Sequence, residues 1–329
     1  MLAQVAAASA KPSLALGSGT LLPCPVLVIG GKNPSGPDAA STEVWQYDPS
    51  PAGENSSGQW VPRAQLPTPR FAAAAALLSD GRILVVGGKS SKGKMDNLAT
   101  CAAYIPSTDT WAVSPAVMAT GRSYPVAVAL PDGRALVCGG HSGVSALKSA
   151  EIFTPAGLNG ATVDSWTPAA DMPGALSGSG GCVLSDGTVV VAGGTDGKSR
   201  VRTGYQYNPA TDVWSMFPEE GVLSSVGRST PGLVVTDAAS RRVMLAGGFD
   251  QNKVVLSKCE SVTAAKASSA DDLAEPTVWE TSVGMPQPRR GHCTVGLGSG
   301  KALVLAGFED VDSRPKAQSF LFDARGGAG

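Results

Sequence analysis

No apolar run in this 329-residue chain approaches the roughly 20 residues that a membrane-spanning helix requires. A dominant charge is missing too: 26 basic side chains stand against 27 acidic ones. That balance argues against a nucleic-acid binder and against a protein held on an anionic membrane by charge alone. The opening stretch, MLAQVAAASAKPSLALGSG, has no basic segment ahead of its alanines and is expected to be mature chain, with a weak or cryptic export signal as the lesser alternative. Six cysteines (Cys24, Cys101, Cys138, Cys182, Cys259, Cys293) stand far apart with no CxxC pair. Free thiols in a reducing, cytoplasmic compartment are the expectation. There is no P-loop, no GxSxG and no HExxH, and no glycine pair opens a helix in a GxGxxG register.

What is present is glycine, 41 residues of it, with 24 prolines in a chain that is still 43% hydrophobic. Such a chain can build a real core without being helical. Residues 79–90 read SDGRILVVGGKS, residues 131–142 PDGRALVCGGHS and residues 185–196 SDGTVVVAGGTD. Five glycine doublets begin at Gly30, Gly87, Gly139, Gly193 and Gly247, and a degenerate sixth is Ala306-Gly307. Successive copies are 57, 52, 54, 54 and 59 residues apart. Each doublet closes a short apolar run, such as ILVVGG or ALVCGG. Asp80-Gly81, Asp132-Gly133 and Asp186-Gly187 supply hairpin turns that call for positive φ. A third strand follows each doublet, and a tryptophan (Trp60, Trp111, Trp166, Trp214, Trp279) marks a fourth in five units.

Repeats of four short strands at regular spacing imply an all-β ring of small antiparallel sheets. Side-chain size agrees: the first strands are rich in Ala, Gly, Val and Ser, and the later ones carry Tyr47, Tyr104, Phe153, Tyr207 and the tryptophans. A gap that widens outward from an axis requires small residues inside and large ones outside. The tryptophans are expected in the core.

The doublets in register with a spaced tyrosine, a tryptophan and an arginine before the next first strand resemble the Kelch repeat, over about residues 14–323. That resemblance, which extends to the central domain of galactose oxidase, implies a six-bladed β-propeller of four-stranded antiparallel blades. The chain is then one domain, 1–329. Its blades lie at about 14–63, 70–115, 122–170, 177–218, 226–283 and 290–323. The last unit ends at its third strand, so a strand from Leu2–Ala8 is expected to complete and close it.

The resemblance also places the turns after strand two and before strand one on one face, around a central channel. Arg70, Arg122, Arg228, Arg289 and Arg290 then belong to that rim, with Leu176 breaking the series. Lys32, Lys89 and His141 follow the first three doublets; Thr195, Phe249 and Phe308 follow the others. Guanidinium groups offer planar, charged donors to carboxylates. Asp196, Asp250, Glu309 and Asp310 put acid on the other side of the face. The expected function is therefore binding of a protein or peptide segment, acidic or of mixed charge, with no cofactor. A competing duty for each arginine is to bond carbonyls at the blade edge. A second reading is a metal-independent epimerase- or isomerase-like enzyme acting on a small sugar or acid, through Arg122, Arg228, Asp196 and Glu309. A copper site like that of galactose oxidase is not expected, because His141 and His292 are the only histidines and fall in opposite blades.

Overall fold

Every glycine doublet in the described chain ends a strand that is buried on both faces. The computed structural model describes residues 26–32, 40–48, 59–90, 95–202, 204–217, 225–237, 239, 241–263, 280–298, 301–305, 307–310 and 319–323. These residues form six separate antiparallel sheets, each pairing its strands in chain order. The first holds β1 (Val26–Ile29), β2 (Val44–Asp48) and β3 (Gln59–Pro62). The second holds β4 (Ala74–Leu77), β5 (Ile83–Val86), β6 (Cys101–Ile105) and β7 (Thr110–Val113). The third holds β8 (Val126–Ala129), β9 (Ala135–Cys138), β10 (Ala150–Thr154) and β11 (Ser165–Ala169). The fourth holds β12 (Gly180–Val183), β13 (Val189–Ala192), β14 (Gly204–Asn208) and β15 (Val213–Phe217). The fifth holds β16 (Gly232–Asp237), β17 (Arg242–Ala246), β18 (Cys259–Thr263) and β19 (Glu280–Ser282). The sixth holds β20 (Cys293–Gly298), β21 (Lys301–Leu305) and β22 (Ser319–Asp323). The closing strand expected from Leu2–Ala8 lies outside the described residues, as does Trp279.

The Asp-Gly turns form as the sequence implies, but only the glycine takes positive φ: +88° at Gly81, +92° at Gly133 and +88° at Gly187. The aspartate instead accepts a backbone N–H two residues on, Asp80 from Arg82 at 2.9 Å and Asp132 from Arg134 at 3.0 Å. That bond fixes the turn and lets the second strand run back beside the first.

Sheets join face to face through shared apolar cores. Leu27, Ile29, Ile83, Val85 and Tyr104 join the first sheet to the second. Leu84, Val86, Ala135, Val137 and Phe153 join the second to the third. Leu136, Cys138, Val189, Val191 and Tyr207 continue to the fourth, Val190, Ala192, Val243 and Leu245 to the fifth, and Met244, Ala246, Ala302 and Val304 to the sixth. Alternate residues of each second strand thus serve opposite neighbours. Their unbroken apolar runs follow from that double burial.

A polar seam repeats at every described join. Gly87 has φ of +66°, and a Cβ there would sit 2.5 Å from the carbonyl oxygen of Arg122. Gly88 donates its N–H to that same oxygen at 2.8 Å. The pattern recurs as Gly31 to Arg70, Gly140 to Leu176, Gly194 to Arg228 and Gly248 to Arg289, at 2.7 to 2.9 Å. Each doublet therefore docks the chain that enters the next sheet, and a side chain would block the approach.

The outer rim carries a second latch. Trp111 packs at a tilt against Tyr104, ring centroids 5.2 Å apart, and donates Nε1–H to the Ala64 carbonyl of the preceding sheet at 2.8 Å. Asp109 accepts the Ala64 N–H at 2.9 Å and the Tyr104 hydroxyl at 2.7 Å. Asp212, Tyr207 and Trp214 grip Ala170 in the same way. In the third sheet the longer loop diverts Asp164 to Ala156. Trp111, Trp166 and Trp214 are half-buried and pack against the shared apolar clusters, as expected, whereas Trp60 is 42% exposed. Trp111 and Trp214 sit at the edge between sheets, where the indole N–H finds a carbonyl acceptor.

Gly87→Ala is expected to lower stability by about 2 kcal/mol or more, from the left-handed backbone and the carbonyl contact together. Gly81→Ala shares the positive φ but meets nothing within 4 Å, so it isolates the backbone cost. Urea unfolding midpoints of the two variants make the comparison.

Candidate functional site at the loop face

The residues that follow the doublets pair with those that follow the rim arginines. Lys89 bridges Phe71, His141 bridges Ser123, Thr195 bridges Ser177, Phe249 bridges Ser229, and Phe308 bridges Arg290. One residue further, a run of backbone hydrogen bonds passes from the second sheet to the sixth, skipping none between. Tyr124 donates its N–H to the Ala72 carbonyl at 2.7 Å, Gly178 to Tyr124 at 3.1 Å, Thr230 to Gly178 at 2.7 Å and Gly291 to Thr230 at 3.1 Å. All five hold φ between +52° and +65°. For Ala72, Tyr124 and Thr230 that conformation is strained, and the run of four hydrogen bonds sustains it. A cavity of about 130 Å³ lies beside this run, lined by Tyr124, Ser179, Thr230 and His292 among others.

The rim arginines do not face that opening. Arg70 is 2% exposed, and Arg122, Arg228 and Arg289 are 0% exposed. Arg70 Nη1 donates to the carbonyls of Gly87 and Thr100 at 3.0 and 3.1 Å. Arg122 Nη1 donates to those of Gly139 and Ser149 at 3.0 and 2.9 Å, and Arg228 Nη1 to those of Gly247 and Lys258 at 3.2 and 2.9 Å. Each guanidinium thus holds the first glycine of its own sheet, while its backbone carbonyl receives the second glycine of the sheet before. Where Leu176 replaces arginine, Ser179 Oγ donates to Gly193 instead, at 2.9 Å. Arg289 turns to Glu309 and Gln287, both at 2.7 Å. Of the two duties weighed for these arginines, bonding carbonyls at the blade edge is the one seen for Arg70, Arg122 and Arg228, and Arg289 bonds Glu309 and Gln287. Buried charge must be bonded, and backbone carbonyls are the nearest acceptors.

Two of these arginines also meet buried carboxylates. Arg122 pairs with Glu151 at 2.6 Å, and Arg228 with Glu260. Burial alone would raise the Glu260 carboxyl, but the Ser225 N–H and the Arg228 charge hold it below the usual carboxylate range. Burial lowers Arg70 to about 10, which leaves it charged at neutral pH.

What the face does present is different. Lys32 is exposed, and its Nζ lies 5.4 Å from the Phe71 ring. Lys89, His141 and Arg290 are half-buried. His141 accepts the Gly143 N–H on Nδ1 at 2.9 Å, and partial burial with Lys89 nearby keeps its pKa low. It is neutral at pH 7, so it adds no charge to the basic set. Arg290 lies over the Phe308 ring at 4.6 Å and near Phe249 at 5.4 Å, and Arg200 covers Phe249 at 4.6 Å. Sequence reasoning missed Arg200. It lies outside the two turns that frame the face by sequence, and only the bridge between Thr195 and Arg200 brings it there.

Groups suited to metal or thiol chemistry stand apart. Among the described residues no three His, Cys, Asp or Glu side chains gather. Burial pushes the thiols of Cys101 and Cys259 up to about 11 and that of Cys138 to about 12, so they stay protonated. Among those residues, no helix is long and apolar enough to cross a membrane.

A family profile for the Kelch motif matches residues 178–219. The Kelch repeat-containing protein kel-10 of Caenorhabditis elegans is 32% identical over 139 residues, which cover 41% of this chain and 22% of kel-10. The Kelch repeat and BTB domain-containing protein F47D12.7, also of Caenorhabditis elegans, is 38% identical over 84 residues, 25% of this chain and 13% of that protein. The chain thus matches about a fifth or less of the length of these curated relatives. A solved structure titled "Structure of YjhT" superposes with a TM-score of 0.69 at 15% identity, covering 97% of this chain and 95% of that one.

Two outcomes follow. Arg122→Ala would strand Glu151 and is expected to cost about 3–5 kcal/mol of stability, read by chemical denaturation. His292 is 8% exposed, and burial, helped by Arg289, lowers its pKa to about 4 from 6.5. The unfolded chain takes up this proton first. Stability is therefore full above about pH 6.5 and declines as pH falls toward 4, by up to about 1.4 kcal/mol per unit. Denaturation at several pH values should show His292→Gln with a flatter slope across that window.

Proposed function

Because the chain is a Kelch-repeat β-propeller, we propose that it acts as a protein-interaction module. Its loop face receives an acidic or mixed-charge segment of a partner. The observation that carries this reading is the gathering of Lys32, Lys89 and Arg290 at one end of the sheets, with phenylalanine rings beneath Lys32 and Arg290. Cations held against aromatic faces lose less freedom on binding than free ones do. Arg70, Arg122, Arg228 and Arg289 act behind the face, by keeping its loops in place. The ring closes as six blades, one per sheet, with Leu2–Ala8 supplying the outer strand of the last. Action in the cytoplasm suits the free cysteines at 101, 138, 182, 259 and 293.

An array of acidic, neutral and basic peptides tests the charge preference. The chain should retain acidic members, and the Lys32→Ala, Lys89→Ala, Arg290→Ala triple variant should bind them about tenfold or more weakly, with its melting temperature unchanged. Equal retention of acidic and basic peptides, or full binding by the folded triple variant, would overturn the reading.

A further inference from the structure

Four side chains on the loop face of the last three sheets alternate ring and cation: Phe308, Arg290, Phe249, Arg200. The guanidinium carbon of Arg290 is 4.6 Å from the Phe308 centroid and 5.4 Å from that of Phe249, while that of Arg200 is 4.6 Å from the Phe249 centroid. The two ends are chemically unlike. At one end Phe308 is tied by its own backbone, pairing with Arg290 in both directions at 3.0 Å. At the other end the Arg200 guanidinium has Phe249 as its partner. Among the described residues it forms no ion pair and donates to no acceptor, and its Nε is buried without one. Its main chain is fixed all the same: the Arg200 N–H donates to Gln251 at 3.0 Å, and Arg200 bridges Thr195.

We propose that Arg200 is an open rung that takes an aromatic side chain of the partner against its guanidinium plane. The faces of a guanidinium are weakly hydrated and attract the negative face of an aromatic ring. Phe249 already covers one side, so the ring of a partner would extend the existing alternation. The surroundings are apolar as well as charged. Val254, 54% exposed, stands beside Val255, which bridges Phe249. Asp250 turns its Oδ1 to the N–H groups of Asn252 and Val254 at 2.9 and 2.8 Å. Asp196 likewise caps Lys198 and Ser199, both at 2.7 Å. Neither nearby carboxylate bonds Arg200. A stacked aromatic also fits the composition of protein interfaces, where tyrosine and tryptophan dominate the residues that carry binding. The proposal rests on the loop-face reading for its partner, but its chemistry is testable without one.

The direct probe is N-acetyl-tryptophanamide, which is neutral, titrated into protein labelled with ¹⁵N-arginine. The Arg200 Nε–Hε signal should move upfield and saturate, and N-acetyl-cyclohexylalaninamide, of similar bulk without a π-system, should leave it in place. No such shift would sink the open rung, whatever acidic peptides do. The second arm uses one acidic peptide carrying either tryptophan or cyclohexylalanine. Wild type should prefer tryptophan by about fivefold or more. Arg200→Met and Arg200→Gln should abolish that preference, and Arg200→Lys should reduce it, with melting temperatures unchanged. If the preference survives in Arg200→Gln, or never appears, the rung is refuted while the charge reading stands. If the tryptophanamide shift appears but no acidic peptide binds, the loop-face reading fails and the rung remains.

Discussion

One contact recurs at each described join between sheets: the amide of a second glycine meets the carbonyl of the residue that leads into the next sheet. It requires the preceding glycine to have no side chain, because that carbonyl occupies the place a Cβ would take. Apolar burial supplies most of the attraction between sheets, but it is not directional. The glycine seam fixes how far each sheet is turned relative to its neighbour, and so where the loops emerge.

The arginines extend this seam. A single residue such as Arg122 accepts Gly88 of one sheet through its carbonyl and donates to Gly139 of its own through its guanidinium. The series is continuous through Arg70 and Arg122, changes chemistry at Leu176 and Ser179, and resumes at Arg228. Arg70, Arg122 and Arg228, which look from the sequence like part of a ligand ring, bond the glycine carbonyls of the scaffold. This leaves the exposed face to residues whose identity differs from unit to unit, as expected of a module whose partner is read by its loops.

The repeat was legible because it is local. The Asp-Gly turn, the apolar run and the doublet each leave a mark within twelve residues, and their register fixes the strands. The tryptophans were visible, but sequence spacing cannot show that Trp111 and Trp214 reach the Ala64 and Ala170 carbonyls of another sheet. The arginines were located on the right turn, with two duties open to them. Their burial depends on carbonyls of Gly87, Gly139 and Gly247, which come from the far end of the following strand. Arg200 carried no signal of its own. Only the fold sets it on Phe249, whose codon-distant pairing with Ser229 and Val255 brings that ring to the face.

The central claim is that the glycine seam is the constraint that holds the sheets in position. Native-state hydrogen exchange of the second glycine of each doublet, Gly31, Gly88, Gly140, Gly194 and Gly248, tests it most directly. If the seam is integral, these amides exchange only through global opening, as slowly as those of Val85 or Val137 within the buried strands. Exchange at the rate of an exposed loop amide such as that of Gly197, in a protein otherwise folded, would contradict it.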